Sequence, residues 1–308
     1  MNYNQFLEEV RAAVQERLGN DYEIRIQKIT KNNGIVLDGL IIGEAGKGIA
    51  PTIYLNPYYT RFKHGMSLAD ILPEVISEYK ESSDIVFGDM KRLLDFNNLK
   101  DRVVYKLVQR ETNQELLGEI PAFEFLDLAV VFYLILDENK GGQMTALIRS
   151  SHMTTWGTTK EELYRLAKKN TPELLPPVIK TIKEIMRDML KEHLGDFYMD
   201  EILDDLLEED SERKPFYVLS NEKQINGAGC LLYEDCLKKF AEEQNADVII
   251  LPSSVHEVIL LPDKGDMDYA ELQEMVSQIN RNEVPEEDVL SNGVYKYSRR
   301  DCGISLIE

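Results

Sequence analysis

The chain has 308 residues, 43% of them hydrophobic, which suffices for one large or two ordinary globular domains. Its 35 lysines and arginines against 55 aspartates and glutamates give a net charge of −20 at pH 7. This negative excess argues against direct binding to nucleic-acid phosphates or anionic membranes, which need a basic surface, and the sequence shows no local basic patch.

The first 18 residues predict an amphipathic helix, not a signal peptide, because charged residues separate the apolar ones. No apolar run reaches the ~18 residues that a membrane helix requires. The longest run, Leu126–Leu136, contains Asp127 and is strand-like. We therefore expect a cytoplasmic protein without membrane contact.

The N-terminal region combines a hairpin with helices. Strands are predicted at Tyr22–Ile29 and Ile35–Ile42, because apolar and polar residues alternate and Asn32-Asn33-Gly34 supplies a turn. A helix is expected over Ser67–Lys80, capped by Ser67, and a second over Asp84–Phe96.

The middle of the chain predicts strands, then two helices. Strand or short-helix patterns occupy Arg102–Val108, Asn113–Leu117, Phe123–Leu136 and Met144–Ile148. A helix capped by Thr158 or Thr159 should end at Asn170-Thr171-Pro172, and Pro176-Pro177 should begin a longer one. The following segment, Asp196–Arg213, holds nine carboxylates and one arginine and predicts an acidic amphipathic helix with a polar linker.

The C-terminal region centres on two strongly apolar runs. Val248–Leu251 and Val255–Leu261 flank Pro252-Ser253-Ser254 and predict two closely linked buried strands. The other predicted elements are a strand at Phe216–Leu219, a loop at Asn221–Gly229, helices at Leu231–Glu243 and Tyr269–Asn280, a helix start at Pro285, and a strand at Val294–Tyr297.

These elements indicate an α+β fold with mixed sheets and flanking helices. Residues 102–170 and 216–280 are each expected to run strand, helix, strand, strand, helix, which would fit a structural duplication. We divide the chain into an N-terminal region (1–100), a middle region ending in the acidic helix (101–212) and a C-terminal region (213–308).

Several phrases carry a family resemblance: Asp101–Leu107, Phe125–Tyr133, Trp156-Gly157 with the helix after it, and Leu251–Val258. They resemble an uncharacterised domain-of-unknown-function family from gut-dwelling anaerobic Firmicutes, over nearly the whole chain. More distantly, the tryptophan helix and the later strand with its proline resemble the YtpQ-like family of Firmicute proteins. That family has Asn-Arg-Asp after the proline, where this chain has Ser253-Ser254 and then His256-Glu257. Neither resemblance implies an established activity or cofactor.

His256 and Glu257 are an adjacent pair suited to acid–base chemistry within an apolar segment. A zinc-protease motif would need a second histidine where this chain has Leu260, and a strand would put the two side chains on opposite faces. Ser253 or Ser254 with His256 could make a nucleophile and base, although no G-x-S-x-G elbow surrounds them. The alternative is that the serines form a turn and His256 hydrogen-bonds a strand end.

Two glycine-rich stretches are candidates for anion binding. Gly43–Gly48 lacks the serine or threonine that a phosphate loop places after its lysine, which favours a connecting loop. Asn226, Gly227 and Gly229 precede a predicted helix, whose free N–H groups attract anions.

Cysteine and histidine spacing indicates neither disulfides nor a metal site, and no cofactor is expected. Cys230, Cys236 and Cys302 lack C-x-x-C spacing and are predicted to be free, mostly buried thiols. The four histidines lie far apart, at His64, His152, His193 and His256.

Three functions remain open. The first is a non-catalytic protein-interaction or regulatory module, with another protein as partner. The second is an enzyme or small-ligand-binding protein with its site near Pro252–Glu257 and Asn226–Gly229. The third is an acidic mimic that binds a basic partner through its carboxylate-rich segment.

Overall fold

The computed structural model describes residues 1–44, 50, 52–86, 95–139, 142–194 and 216–307. They group into a smaller unit, Met1–Lys100 with Asp137–Met144, and a larger unit, Asp101–Leu136 with Thr145–Glu308. The proposed division into three regions stays a prediction. The acidic segment lies entirely outside the described residues, as do most of the Gly43–Gly48 loop and of the predicted Asp84–Phe96 helix.

The smaller unit packs helices on a three-stranded antiparallel sheet of order β1-β2-β3. Its elements are α1 (Tyr3–Leu18), β1 (Tyr22–Thr30), β2 (Val36–Glu44), β3 (Thr52–Tyr54), α2 (Asn56–Lys63), α3 (Leu68–Val86) and α4 (Phe96–Leu99). The predicted helix, hairpin and Ser67 cap are confirmed, since Ser67 Oγ accepts from the Asp70 N–H at 3.3 Å. Phe6 and Val10 of α1 are fully buried in the same apolar cluster as Leu40 of β2.

The larger unit contains two further antiparallel sheets. Its strands are β4 (Val103–Gln109), β5 (Ala122–Phe125), β6 (Leu128–Asn139), β7 (Gly142–Leu147), β8 (Pro177–Thr181), β9 (Tyr217–Asn221), β10 (Asp247–Leu251), β11 (Val258–Asp263), β12 (Val294–Ser298) and β13 (Gly303–Ile307). The described residues 137–139 of β6 and 142–144 of β7 group with the smaller unit. The helices are α5 (Gln114–Leu117), α6 (Ser150–Trp156), α7 (Lys160–Leu174), α8 (Ile182–Leu194), α9 (Cys236–Gln244) and α10 (Tyr269–Asn282).

One sheet has the order β4-β6-β5 with β7 on β6, and the other has the order β13-β12-β10-β11-β9-β8. The α+β class is thereby confirmed. Residues 216–280 have the predicted order of strand, helix, strand, strand, helix, whereas 102–170 contain three strands after α5, namely β5, β6 and β7, and an additional helix, α6. Among the described residues, no helix is both long and apolar enough to cross a membrane.

The two apolar runs form the central strands of the six-stranded sheet, as predicted. Every residue from Val248 to Leu251 is buried, because successive side chains point to opposite faces and both faces are covered. On one face, Ile249 and Leu251 join a cluster with Val276 of α10. The core therefore lies where the sequence is most apolar.

Helix α7 does not end at Pro172 as predicted but continues for two more residues. A proline inside a helix removes one backbone hydrogen bond, so the turn needs other support. Asn170 Nδ2 donates to the Val103 carbonyl at 3.0 Å, and Thr171 Oγ1 accepts from the Tyr105 N–H at 3.1 Å. These buried side chains attach the end of the helix to β4.

The Pro176-Pro177 pair begins a strand rather than the predicted helix. Pro177 lies opposite Asn221 in the antiparallel pairing of β8 with β9. Because β8 is an edge strand, its proline need not donate to a neighbour. The helix predicted here starts only at Ile182.

Helix α9 begins at Cys236, later than the predicted Leu231. Gly227–Leu232 instead forms a 3-10 helix, Tyr233 is extended, and Asp235 is left-handed with φ 61°. The apolar spacing continues across this break, so periodicity alone does not reveal it. The break matters for function because it places Cys236 at a helix N-terminus.

An ion cluster that links the end of β11 to β12 yields a pH-dependent prediction. Asp263, whose side chain is 3% exposed, accepts from Lys296 Nζ, the Tyr269 hydroxyl and the Gly265 N–H, each at 2.8 Å. Burial acts to raise the pKa of Asp263, but these hydrogen bonds outweigh it and lower the pKa.

We expect Asp263→Asn to cost about 1.5–3 kcal/mol of unfolding free energy at pH 7. Since the pKa is lower in the folded state, this stabilisation is complete above the unfolded pKa of ~3.9 and is lost as the pH falls through the folded value. Urea unfolding at pH 7 and pH 3 should show the difference from wild type shrinking in acid. Glu283→Gln, at an exposed position, is the control; an equal loss at both pH values would contradict the prediction.

Candidate functional site

His256 and Glu257 lie in the turn between β10 and β11, not within a strand as expected. β10 ends at Leu251, and β11 begins only at Val258. The strand alternation that would separate their side chains therefore does not apply.

Both ring nitrogens of His256 have protein partners. Nδ1 accepts from the backbone N–H of Asn226 at 3.2 Å, and Nε2 lies 3.2 Å from Asp288 Oδ1. Because an N–H donor faces Nδ1, the neutral ring carries its proton on Nε2 and donates it to Asp288. The imidazole thus joins three loops and offers no free lone pair to a substrate.

The structure brings together the two segments that the sequence singled out. The Asn226 N–H meets the His256 ring, and Ser220 Oγ donates to the His256 carbonyl at 2.7 Å. Gly227 is buried against this bond, and a Cβ there would collide with both of its atoms. Gly229 is also buried and faces the Tyr105 ring. The glycines therefore serve close packing, and a ligand-binding role for Asn226, Gly227 and Gly229 stays a prediction.

Ser254 bonds the backbone of this turn instead of the imidazole. Ser254 Oγ accepts from the His256 N–H at 3.0 Å, and the Ser254 N–H donates to the Glu257 carbonyl at 3.1 Å. Ser253 is half-buried beside it. Because both ring nitrogens of His256 have other partners, neither serine is activated by that ring, and a catalytic role for these residues stays a prediction.

Glu257 lines a cavity of about 610 Å³ formed by β8, α8 and β9. Ser220 and Gln224 contribute to its polar wall, together with an ion pair between Lys180 and Asp188 at 2.7 Å. The His256 side chain does not line this cavity, so the two neighbours have different surroundings. Within the described residues, no group of three or more His, Cys, Asp or Glu side chains is arranged to hold a metal ion.

A second cavity, of about 710 Å³, lies between α7, β8 and α9, and we call it the basic cleft. Its cations come from two helices: Arg165, Lys168 and Lys169 from α7, and Lys239 from α9. Glu234 and Glu243 are its carboxylates, so the charged lining carries four positive and two negative groups. This local excess is opposite in sign to the protein as a whole.

Helical spacing explains the cleft's composition. One face of α7 carries Arg165 and the residues three, four and seven positions after it, which are Lys168, Lys169 and Pro172. The opposite face buries residues such as Leu166 against the unit's core. Each helix thus combines a buried apolar face with a face on the cleft.

The cations of the cleft differ in their pairing. Arg165 bonds Glu162 at 2.7 Å, and Lys168 lies 3.8 Å from Glu234. For Lys169 and Lys239, the described part of the chain provides no carboxylate within ion-pair distance. The first turn of α9 also enters the cleft wall at Cys236, and the preceding Asp235 makes no side-chain capping bond. Positive charge and helix N–H groups therefore meet at this cleft, and the described residues do not fully compensate them.

This cleft was not predicted from the sequence. The basic i, i+3, i+4 spacing of Arg165, Lys168 and Lys169 was a detectable signal. Lys239 lies 70 residues further along the chain, and its place beside them depends on how α7 and α9 pack.

Reactivity of the thiols follows from burial. All three cysteines are free; Cys230 is buried, Cys236 half-buried and Cys302 exposed. Burial raises the pKa of Cys230 to about 12, and burial raises that of Cys236 to about 11 although Lys239 lowers it in part. Since the thiolate is the reactive form, both are held in the unreactive state at neutral pH.

We expect one fast-reacting thiol with Ellman's reagent at pH 8, that of Cys302, and two that react fully only in denaturant. Cys302→Ser should remove the fast phase without changing the total released on unfolding by more than one thiol. Two fast thiols in the native protein would contradict this assignment.

The comparisons with known proteins identify a family without identifying an activity. Neither a curated protein nor a solved structure matches the chain significantly. A family model described as a family of unknown function (DUF5688) matches residues 3–299, which is nearly the whole chain. The chain therefore belongs to the DUF5688 family of unknown function.

Proposed function

We propose that this protein is a non-catalytic regulatory module that binds a ligand in the basic cleft. The observation that carries the proposal is a preformed cavity in which two lysines have no carboxylate partner among the described residues and the potential nucleophiles are held protonated. The Cys236 thiol has its pKa raised to about 11, and the Tyr233 hydroxyl, whose pKa burial also raises, donates to the Leu175 carbonyl at 2.8 Å. Such a site holds a charged molecule but offers no activated group to react with it.

The His256 turn also supports a non-catalytic role. Its imidazole is saturated by the Asn226 N–H and Asp288, and Ser254 bonds the backbone. Enzymes keep a general base within reach of the proton that it removes. Here the ring connects loops through its hydrogen bonds, which is the role of a structural residue.

Location and wider relationships belong to the proposal too. We propose a bacterial cytoplasmic setting, supported by the free cysteines and the absence of a spanning helix among the described residues. The distant relationship to the YtpQ-like family is supported by the tryptophan helix and the strand before Pro252. Regulation would then reach a partner protein through a surface that ligand binding alters.

The proposal is tested by equilibrium dialysis against a small-molecule extract of the source cells, followed by mass spectrometry. Lys239→Trp fills the cleft, and Lys238→Trp places the same bulk at the neighbouring exposed position outside it. We expect wild type and Lys238→Trp to retain the same molecules, unchanged over time, and Lys239→Trp to lose them. Time-dependent conversion of one compound into another, abolished in His256→Ala, would instead establish an enzyme.

A further inference from the structure

We infer that the ligand of the basic cleft is a small phosphate monoester with an apolar, ring-sized body. The inference rests on the proposed function and specifies the chemistry of the same site. It follows from three features of the cleft: the number of uncompensated positive groups, the apolar wall beside them, and the volume.

The positive groups of the cleft that lack a partner among the described residues favour a ligand with two negative charges. Lys169 and Lys239 each supply a full charge without a carboxylate partner in the described residues, and the N-terminus of α9 adds a partial positive charge without a side-chain cap. A carboxylate carries one negative charge, whereas a phosphate monoester carries nearly two at neutral pH and presents three acceptor oxygens. Phosphate therefore matches two lysines and a helix N-terminus better than a carboxylate does.

Apolar side chains line the cleft beside these cations. Pro172 of α7 and Pro177 and Ile179 of β8 line the cleft, together with the Tyr233 ring. An inorganic ion would leave this wall exposed to water, while a ligand with an apolar body buries it. A volume of about 710 Å³ is within the usual range for small-molecule sites, so both parts fit at once.

Glu234 and Glu243 set the selectivity against larger polyanions. Both carboxylates line the cleft, and Glu234 lies 3.8 Å from Lys168. A ligand with several phosphates would bring more negative charge against them than a single phosphate does. The net charge of −20 acts in the same direction.

The test uses phenyl phosphate as the probe, with inorganic phosphate, benzoate and phenol as comparisons, in isothermal titration calorimetry on the full chain. We expect phenyl phosphate to bind most tightly and to weaken with added sodium chloride, since exposed charges are screened. Lys169→Gln with Lys239→Gln should weaken it roughly 10- to 100-fold, as two charge-assisted contacts are lost. Lys238→Gln with Lys264→Gln removes the same charge from exposed positions outside the cleft and should leave binding unchanged.

A second readout locates the probe. In the Cys302→Ser background, alkylation of Cys236 by iodoacetamide at pH 9 should slow when phenyl phosphate saturates the cleft, because the thiol lines it. Alkylation of Cys230 in denaturant is the control for reagent activity.

Three results would overturn the inference. Phenyl phosphate could give no more binding heat than sodium chloride at equal ionic strength. The two double variants could lose the same affinity for phenyl phosphate, or benzoate could bind as tightly as phenyl phosphate. The dialysis experiment would still judge the proposed function in each case. Conversely, release of phenol from bound phenyl phosphate would refute the non-catalytic proposal while leaving the ligand class intact.

Discussion

Replacing Ile250 by Asp is expected to abolish cooperative folding of the larger unit. Ile250 is fully buried in β10, between Leu260 of β11 and Tyr295 of β12. The change removes an apolar contribution of roughly 1.5–3 kcal/mol and puts an unpaired carboxylate where it has no solvent. Together these two effects should lower the unfolding free energy by more than ~4 kcal/mol, which is a large fraction of the stability of an ordinary domain.

Leu306→Asp is the matched control, because Leu306 is on the edge strand β13 and is 38% exposed. It should cost less than about 1 kcal/mol. Urea unfolding followed by circular dichroism measures the stability of both variants, and thiol labelling of Cys230 serves as a local probe. If Ile250→Asp showed the transition of the parent, the central position of β10 would be wrong.

Gly227→Ala is expected to have the second-largest effect, although it adds only one methyl group. The new Cβ would collide with Ser220 Oγ and the His256 carbonyl, which hydrogen-bond each other, and would lie 2.9 Å from the Asn221 nitrogen. Two of these three obstacles are backbone atoms, so side-chain rotation cannot relieve them. We expect a loss of about 1–3 kcal/mol or more.

Gly229→Ala is the control within the same 3-10 helix. Its Cβ would meet the nearest atom of the Tyr105 ring at 3.4 Å, an ordinary contact. The alanine should be neutral within about 0.5 kcal/mol. Thermal unfolding of both variants measures the difference, and a Gly227→Ala protein as stable as Gly229→Ala would refute the tight packing of the His256 turn.

Local patterns were sufficient for much of the fold. α1 and the β1–β2 hairpin repeat their apolar residues with the period of a helix or a strand, and the Asn-Asn-Gly turn sets the hairpin register. The β10 and β11 runs are apolar on both faces, which identifies central strands without knowledge of their neighbours. In these places, the information that decides the structure lies within a few residues.

Other features depended on partners distant in the chain. Pro177 is in a strand because β9 is there to pair with it, and α7 passes Pro172 because Asn170 and Thr171 bond to β4. Sequence spacing does not show such partners, since a proline pair also begins helices and a proline usually ends them.

The candidate site divides in the same way. The sequence by itself determined that His256, Glu257 and the Asn226 loop are unusual, because polar and glycine residues interrupt apolar strands there. Only the tertiary structure decided that the His256 ring is saturated by hydrogen bonds and that Lys169 and Lys239 share a cleft. The physical reason is that periodicity specifies which face of a helix is apolar, whereas packing decides which polar faces meet.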